Sequence, residues 1–461
     1  MHAFGRAFLK FYKEKGKKME IKLSEHFTYK KLLHFCLSPI VMMVFTSIYG
    51  VVDGFFVSNF AGKTSFAAIN LVMPFIMVLG GFGFMVASGA SALVAKTLGE
   101  KDVKRANEIF SMAIKFTVIL GVITSAVGIV FMRPISVLLG AEENMITDCV
   151  VYGRTVLAFN TAFMLQNGFQ IYLSVAEKPK LGLYYTVAAG LTNMILDTVF
   201  VGLFNWGVAG AAVATGISQC VGGILPIFYF IRKNDSPLRI INAKCEARPL
   251  IKACTNGSSE LMSSVSSSIV SALYNFQLLK YAGQNGVATY GVLMYIQFIF
   301  VAIFIGYTIG MSPIVSYNYG AQNKDELKSL FRKSVIMMSA AGIIMMILGK
   351  ALASPLSEIF VGYDDELCAM ATHAFGIFAY AFVLTGINIF ASALFTALNN
   401  GAISAIISFL RTLVFQSVTV IVFPMIFDID GIWYAITFAE VFAFIISVSF
   451  IIAKRKKYGY A

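Results

Sequence analysis

The stretch "GLYYTVAAGLTNMILDTVFVGLFNWGVAGAAVATG", residues 182–216, contains two apolar runs parted by the short turn "FNWG". The runs extend over 182–204 and 208–231, each long enough to cross the roughly 30 Å hydrocarbon core of a bilayer as a helix. So short a turn makes the two helices antiparallel neighbours. Inside the first run lies a carboxylate, Asp197, where an ionised side chain is costly and has to be matched by a polar environment.

The same pattern fills the chain. Its 461 residues are 58% hydrophobic and only 13% charged, with a mean hydropathy of +0.77. A soluble domain carries about 25% charged residues, so the composition is that of a polytopic membrane protein. Twelve apolar segments are expected, near 33–58, 66–95, 112–138, 149–173, 182–204, 208–231, 254–281, 287–316, 334–357, 367–394, 403–426 and 432–453. Runs this long argue for an all-α fold and against a barrel of alternating ten-residue strands. The formal charge of +12 does not indicate nucleic acid, because most Lys and Arg residues sit in short segments between apolar runs. Cys36, Cys149, Cys220, Cys245, Cys254 and Cys368 show no metal-ligand spacing. There is no P-loop, no HExxH and no Ser/His/Asp arrangement, so neither an enzyme nor a resident cofactor is expected.

Charge asymmetry sets the orientation. With the N-terminus cytoplasmic, the inside segments hold Arg6 to Lys31, "KTLGEKDVKR" from Lys96, "EKPK" from Glu177, Arg232 to Lys252, Lys324 to Lys333 and "KRKK" from Lys454. The outside loops collect Glu142, Glu143, Asp364, Asp365, Glu366, Asp428 and Asp430. Both termini are then cytoplasmic in a multi-pass inner-membrane protein. The basic start lacks the uninterrupted apolar core of a signal peptide. Either Met1 or Met19 can be the initiator, or the segment lies on the membrane surface as a basic helix.

An internal repeat is also legible. "GKTSFAAINLVM" from Gly62 matches "GQNGVATYGVLM" from Gly283, and "LGEKDVKRANEIF" from Leu98 matches "YGAQNKDELKSLF" from Tyr319, both at one and the same offset along the chain. "GVAGAAVATG" from Gly207 matches "GIWYAITFAE" from Gly431 more loosely. The expected layout is a basic segment (1–31), a first lobe of six helices (32–231), a linker (232–252), a second lobe (253–453) and a basic tail (454–461). Six helices per lobe give both the same orientation, with a pseudo-twofold axis along the membrane normal and a central cavity between them.

Four acidic residues fall inside apolar segments: Asp53, Asp197, Glu260 and Glu440. Asn193 lies one helical turn before Asp197 and shares its face. An amide oxygen beside a carboxylate suits a sodium ion or a protonatable carboxyl held by a hydrogen bond. Asp197 and Thr215 are each about nine residues from Trp206, and Asp53 is about eight from the turn "FAGK", so the three are depth-matched. They are expected to converge on one polar site in the first lobe. Arg411, in "ISFLRTLVFQ", needs an anion or backbone carbonyls. Tyr152 and Gln170 are placed on one face of the fourth helix as a cavity wall, whereas Gln166 and Asn167 read as interhelical hydrogen-bonding residues. Serines 263, 264 and 266–268 suit close helix packing. Pro39, Pro74, Pro226, Pro313, Pro355 and Pro424 are candidate kinks.

These stretches resemble the multidrug and toxic compound extrusion (MATE) transporters. The resemblance lies in "SPIVMMVFTSIYGVVDGFFVSNFAG", "MPFIMVLGGFGFMVASGASALVAKTLGEKD", the block from "AEKPKLGLYY" through "GVAGAAVAT", and "ISFLRTLVFQ", and covers about residues 30–453. It implies twelve helices in two lobes around a cavity, and exchange of Na+ or H+ for amphipathic, often cationic compounds. It also implies a cation site at Asp53, Asn193, Asp197 and Thr215, with Tyr152 beside it. Glu260 resembles a second-lobe Glu of other members, and Gln170, Glu260 and Arg411 are expected with Tyr152 in the substrate cavity. "SVAEKPK" and "FTALNNGAIS" depart from the family's usual turns.

The expected function is a monomeric antiporter that exports small molecules across the bilayer by alternating access, with no nucleic-acid partner. One rival is a lipid-linked precursor flippase, which would need several cationic side chains in the cavity. Another is an intramembrane aspartyl protease using Asp53 and Asp197 as a dyad. Its usual GxGD motif is replaced here by "MILDT", and it leaves the duplication unexplained.

Overall fold

The computed structural model describes residues 21–57, 60 and 63–461. The basic stretch before Ile21 and two residues of the turn "FAGK", Ala61 and Gly62, lie outside the described residues. Helices account for nearly all of the rest: α1 (Tyr29–Phe56), α2 (Lys63–Gly99), α3 (Val103–Leu138), α4 (Glu143–Ala158, resumed at Asn160–Val175), α5 (Pro179–Asp197) and α6 (Gly207–Ile231). A linker with a short helix, Ala247–Asn256, leads to Ser258–Gly320. That long run is two helices, α7 (258–282) and α8 (284–320), joined at Gly283, whose φ of +60° breaks the helix. There follow α9 (Lys324–Val361), α10 (Asp365–Phe378, resumed at Phe382–Ala397), α11 (Gly401–Phe409, extended to Val422) and α12 (Pro424–Tyr458). Among the described residues, ten helices are long and apolar enough to cross a membrane. Counting the two halves of Ser258–Gly320 separately and adding α4, which is broken at Phe159 (φ −99°, ψ 3°), gives the twelve spans expected.

Polar side chains punctuate these apolar runs. Asp102 and Asn323 accept from the backbone N–H groups of Arg105 and Glu326 and so cap α3 and α9. They are also repeat mates, separated by the offset that relates the matched strings. Capping of this kind is worth about 1 kcal/mol and fixes where each helix begins. The loops repeat as well. Lys101 and Gln322, Glu177 and Asn399, and Asn205 and Asp428 all adopt positive φ, and the spacing within a pair lengthens by a single position from each pair to the next. Left-handed backbone is uncommon for such residues, so three matched pairs show the duplication in the backbone itself.

The pseudo-twofold relation also governs how the halves meet. Gly99, at the end of α2, leaves no room for a side chain: a Cβ there would stand 2.0 Å from the Tyr317 carbonyl oxygen. A Cβ on Gly320, at the end of α8, would stand 2.0 Å from the Lys96 carbonyl oxygen. Lys96 and Tyr317 are repeat mates, as are Gly99 and Gly320, so the axis passes between the two contacts. Both lie at the end of the bundle that carries the termini, where the halves are pressed backbone to backbone. Gly89 against Gly257 and Gly310 against Cys36 are further close approaches between helices of the two halves.

A strap reinforces that end. The Glu177 carboxylate accepts from the backbone N–H of Leu23 (2.7 Å), and Glu326 accepts from Phe27 N–H (2.9 Å) and pairs with His26 Nδ1 (2.6 Å). Lys333 Nζ donates to the Phe27 carbonyl and to Ser329 Oγ. Leu23 and Phe27 are buried with the core of the second half. Burial pushes the Glu177 carboxyl above the usual carboxylate range. Away from this seam the surface is apolar: Val122 and Ile123 of α3 and their repeat mates Ile343 and Ile344 of α9 are about half exposed, as lipid-facing side chains are.

Candidate ion-coupling site

In the first half, α1 and α5 bring their carboxylates together. The Asp53 side chain lies against Asn193 and Asp197, across an interface that α1 and α5 share along much of their length. Asn193 and Asp197, one turn apart on α5, are 1% and 0% exposed. Immediately after Asp197 the helix widens into a π turn, Thr198–Leu203, an irregularity often retained at functional positions.

Two aromatic hydroxyls frame the pair. Tyr152 of α4 lies near both carboxylates. Tyr49, one turn before Asp53, stands beside it with its hydroxyl against the Gln166 side chain. A third comes from the other half: Tyr295 of α8 approaches Asp53, and its hydroxyl would lie 3.6 Å from a Cβ on Gly54. Neither Tyr49 nor Tyr295 was singled out in the sequence. Tyr49 could have been found from its i, i+4 relation to Asp53; Tyr295 could not, because its approach depends on how the halves meet.

No described cation pairs with either carboxylate. Asp53 Oδ1, both carboxylate oxygens of Asp197, the amide oxygen and nitrogen of Asn193 and the Thr215 hydroxyl are buried and make no well-formed hydrogen bond. Buried polar groups are ordinarily satisfied, and two carboxylates side by side repel. Such a cluster suits one small hard cation or a shared proton. A transition-metal centre has no counterpart, since no group of three or more His, Cys, Asp or Glu gathers among the described residues. Thr215 lies on α6, which packs along α5, but its hydroxyl bonds to neither carboxylate.

The remaining expected residues lie elsewhere. Gln170 is buried and donates from Nε2 to Thr186 Oγ1 of α5 (3.4 Å), tying two helices. The break at Phe159 interrupts the turn count that placed it on one face with Tyr152. Glu260 sits at the seam between the halves, its Oε1 3.5 Å from Ser88 Oγ of α2. Arg411 is engaged by Glu440 of α12, with Nε to Oε1 at 2.9 Å and Nη2 to Oε1 at 2.8 Å. Glu260 and Glu440 form no common site: one meets α2, the other is paired within the second half.

The MatE family model matches residues 39–199 and 261–422, one copy in each half. The multidrug export protein MepA of Staphylococcus aureus is 23% identical over 413 residues, covering 89% of this chain and 91% of MepA. The MepA of Staphylococcus saprophyticus is 25% identical over 419 residues, with the same coverage. A crystal structure of MATE in complex with MaL6 superposes with a TM-score of 0.88 at 22% identity, covering 94% of this chain and 98% of that one. A MOP superfamily transporter from Pyrococcus furiosus, described as having a binding pocket of reverse polarity that suggests a different function, superposes with a TM-score of 0.87 at 21% identity. It covers 94% of this chain and 96% of its own.

Proposed function

We propose, from the premise that this chain belongs to the MatE family, that it is an ion-coupled exporter of amphipathic, cationic small molecules. In this reading Asp53, Asn193 and Asp197, with Thr215 and Tyr152 beside them, take up the driving Na+ or H+. The observation that carries the reading is the carboxylate pair with no described cation beside it, where α1 meets α5. Coverage of the MepA relatives over nearly their whole length supports multidrug export.

The proposed cycle follows from charge. Without an ion the pair is anionic and favours an organic cation in the chamber. Arrival of Na+ or H+ from outside cancels that charge, releases the substrate and lets the lobes rock, so the two cations compete through one site. With both termini cytoplasmic, as the basic loops argue, the glycine contacts and the strap close the cytoplasmic end, which supports an outward-facing reading of this arrangement. The chain would act as a monomer in the inner membrane, with first and second lobes at 32–231 and 253–453. Gln170, Glu260 and Arg411 stand outside the ion site and, with Tyr152, are the residues proposed for the substrate cavity.

Reconstitution tests this directly. Proteoliposomes containing the full chain should move ethidium when an inward Na+ or H+ gradient is imposed, each gradient applied separately. Ethidium movement that ignores both gradients would overturn the reading. The flippase alternative is disfavoured because Arg411, the deep cation a pyrophosphate would need, is already paired with Glu440.

A further inference from the structure

The two lobes are built alike but charged differently. At the spacing that relates Lys101 to Gln322, Asp53 corresponds to Tyr274. At the spacing that relates Glu177 to Asn399, Asn193 and Asp197 correspond to Phe415 and Thr419. Every ionisable oxygen ligand of the first lobe is therefore replaced by a residue that is neutral at physiological pH. The deep carboxylate of the second lobe comes instead from Glu440, on α12, which is 1% exposed.

Glu440 is held by two side chains. Arg411 of α11 donates to both of its oxygens, with Nε to Oε2 at 3.1 Å in addition to the two bonds already given. Asn388 of α10 donates from Nδ2 to Oε2 (2.6 Å) and to the Glu440 main-chain carbonyl (2.9 Å). Tyr274 of α7 lies near the same carboxylate without bonding to it, and stacks on Tyr290, with ring centroids 4.9 Å apart. Among the described residues, Arg411 and Tyr274 are the titratable groups that interact with Glu440. Arg411 sits in a π turn, Leu410–Phe415, which begins early in α11, whereas the π turn of the first lobe begins only after the whole of Pro179–Asp197. The guanidinium thus enters the helical layer at a depth where α5 offers only Ala189, its repeat mate.

A guanidinium does not lose its proton in a protein, and a forked contact to a carboxylate is among the strongest of charge-assisted hydrogen bonds. A free ion would have to displace a cation that is covalently attached and already in place. We propose that Arg411 is a tethered counter-ion: it neutralises Glu440 throughout, so that the second lobe takes no driving ion and coupling rests on the Asp53/Asp197 pair alone. This rests on the ion-coupled reading above, and divides the labour between two lobes of common origin.

The test compares wild type, Arg411→Gln, Arg411→Lys, Glu440→Gln and the double variant Arg411→Gln/Glu440→Gln, all as full chains. Melting in detergent is followed across a pH titration, and ion-driven ethidium efflux in proteoliposomes. Removing the guanidinium leaves a buried carboxylate that must find a proton. Arg411→Gln should therefore melt earlier as pH rises, and lose about tenfold or more of its efflux at alkaline pH, recovering as pH falls. Arg411→Lys keeps the charge and should remain close to wild type in its pH dependence, which decides the matter if Arg411→Gln fails to fold. The double variant should recover both the melting profile and the wild-type ion dependence of efflux.

Two results would overturn the proposal. One is an Arg411→Gln protein that folds and whose melting is no more pH-dependent than wild type. The other is a double variant that melts like wild type but no longer couples efflux to the ion, which would place the pair in the coupling step. Failure of wild type itself to move ethidium would count against the exporter reading, whereas the melting comparison would still decide whether Arg411 is the counter-ion of Glu440.

Discussion

Replacing Asp197 by Asn probes the central charge pair. The Asp53 and Asp197 side chains are in contact with no described cation paired to either. At a separation of about 4 Å and an effective dielectric constant of about 20, two unit charges interact by roughly 4 kcal/mol. That repulsion is relieved when a proton or cation enters, and it amounts to about a thousandfold of the ion's affinity. Asn has nearly the same shape and carries no charge. The substitution should remove the repulsion permanently, stabilise the ion-free protein and abolish the ion's advantage. The assay is thermal melting of purified wild type and variant across a sodium titration and, separately, a pH titration. Wild type should gain stability as the driving ion is added, by about 2.7 kcal/mol at a hundred times its dissociation constant. Asp197→Asn should start higher and stay flat, and its ethidium efflux should no longer respond to the ion gradient. A variant whose melting keeps the wild-type ion dependence would refute the reasoning, because the ion would then bind without Asp197.

Other expectations follow from the seam and the helix ties. Gly99→Ala places a methyl group on the Tyr317 carbonyl; overpacking of this kind costs about 1–3 kcal/mol and should open the end carrying the termini, read as faster maleimide labelling of Cys36. Lys333→Met removes the donor that holds the Phe27 carbonyl, so a cysteine introduced at Leu23 should label faster than in the parent. Gln170→Ala loses one long, neutral hydrogen bond to Thr186, worth about 1 kcal/mol; it should lower the melting temperature slightly and leave the ion dependence of efflux unchanged.

How much of this was legible in the chain depended on the distance over which each inference had to reach. The twelve spans follow from runs of apolar residues, because a bilayer admits only segments that satisfy their own backbone hydrogen bonds. The duplication shows as matched strings at one offset and reappears as matched left-handed residues and matched glycine contacts. Asn193 and Asp197 share a face because four residues make about one turn, and a period that short survives any tertiary arrangement. The same counting from Tyr152 to Gln170 has to cross an irregular residue, Phe159, where a turn count no longer fixes a shared face.

By itself the sequence determined the helices, their order, the kinship of the two halves and the presence of four carboxylates in apolar surroundings. Only the tertiary structure decided which of those carboxylates are paired. Asp53 meets Asp197 and no described cation, Glu440 meets Arg411 and so has one, and Glu260 stops at the seam beside Ser88. A charge buried in a helix is equally costly at any of these positions when read along the chain. What resolves the cost is a partner on another helix, α11 meeting α12 for Arg411 and Glu440 and α1 meeting α5 for Asp53 and Asp197. Packing alone determines which helices meet at the same depth.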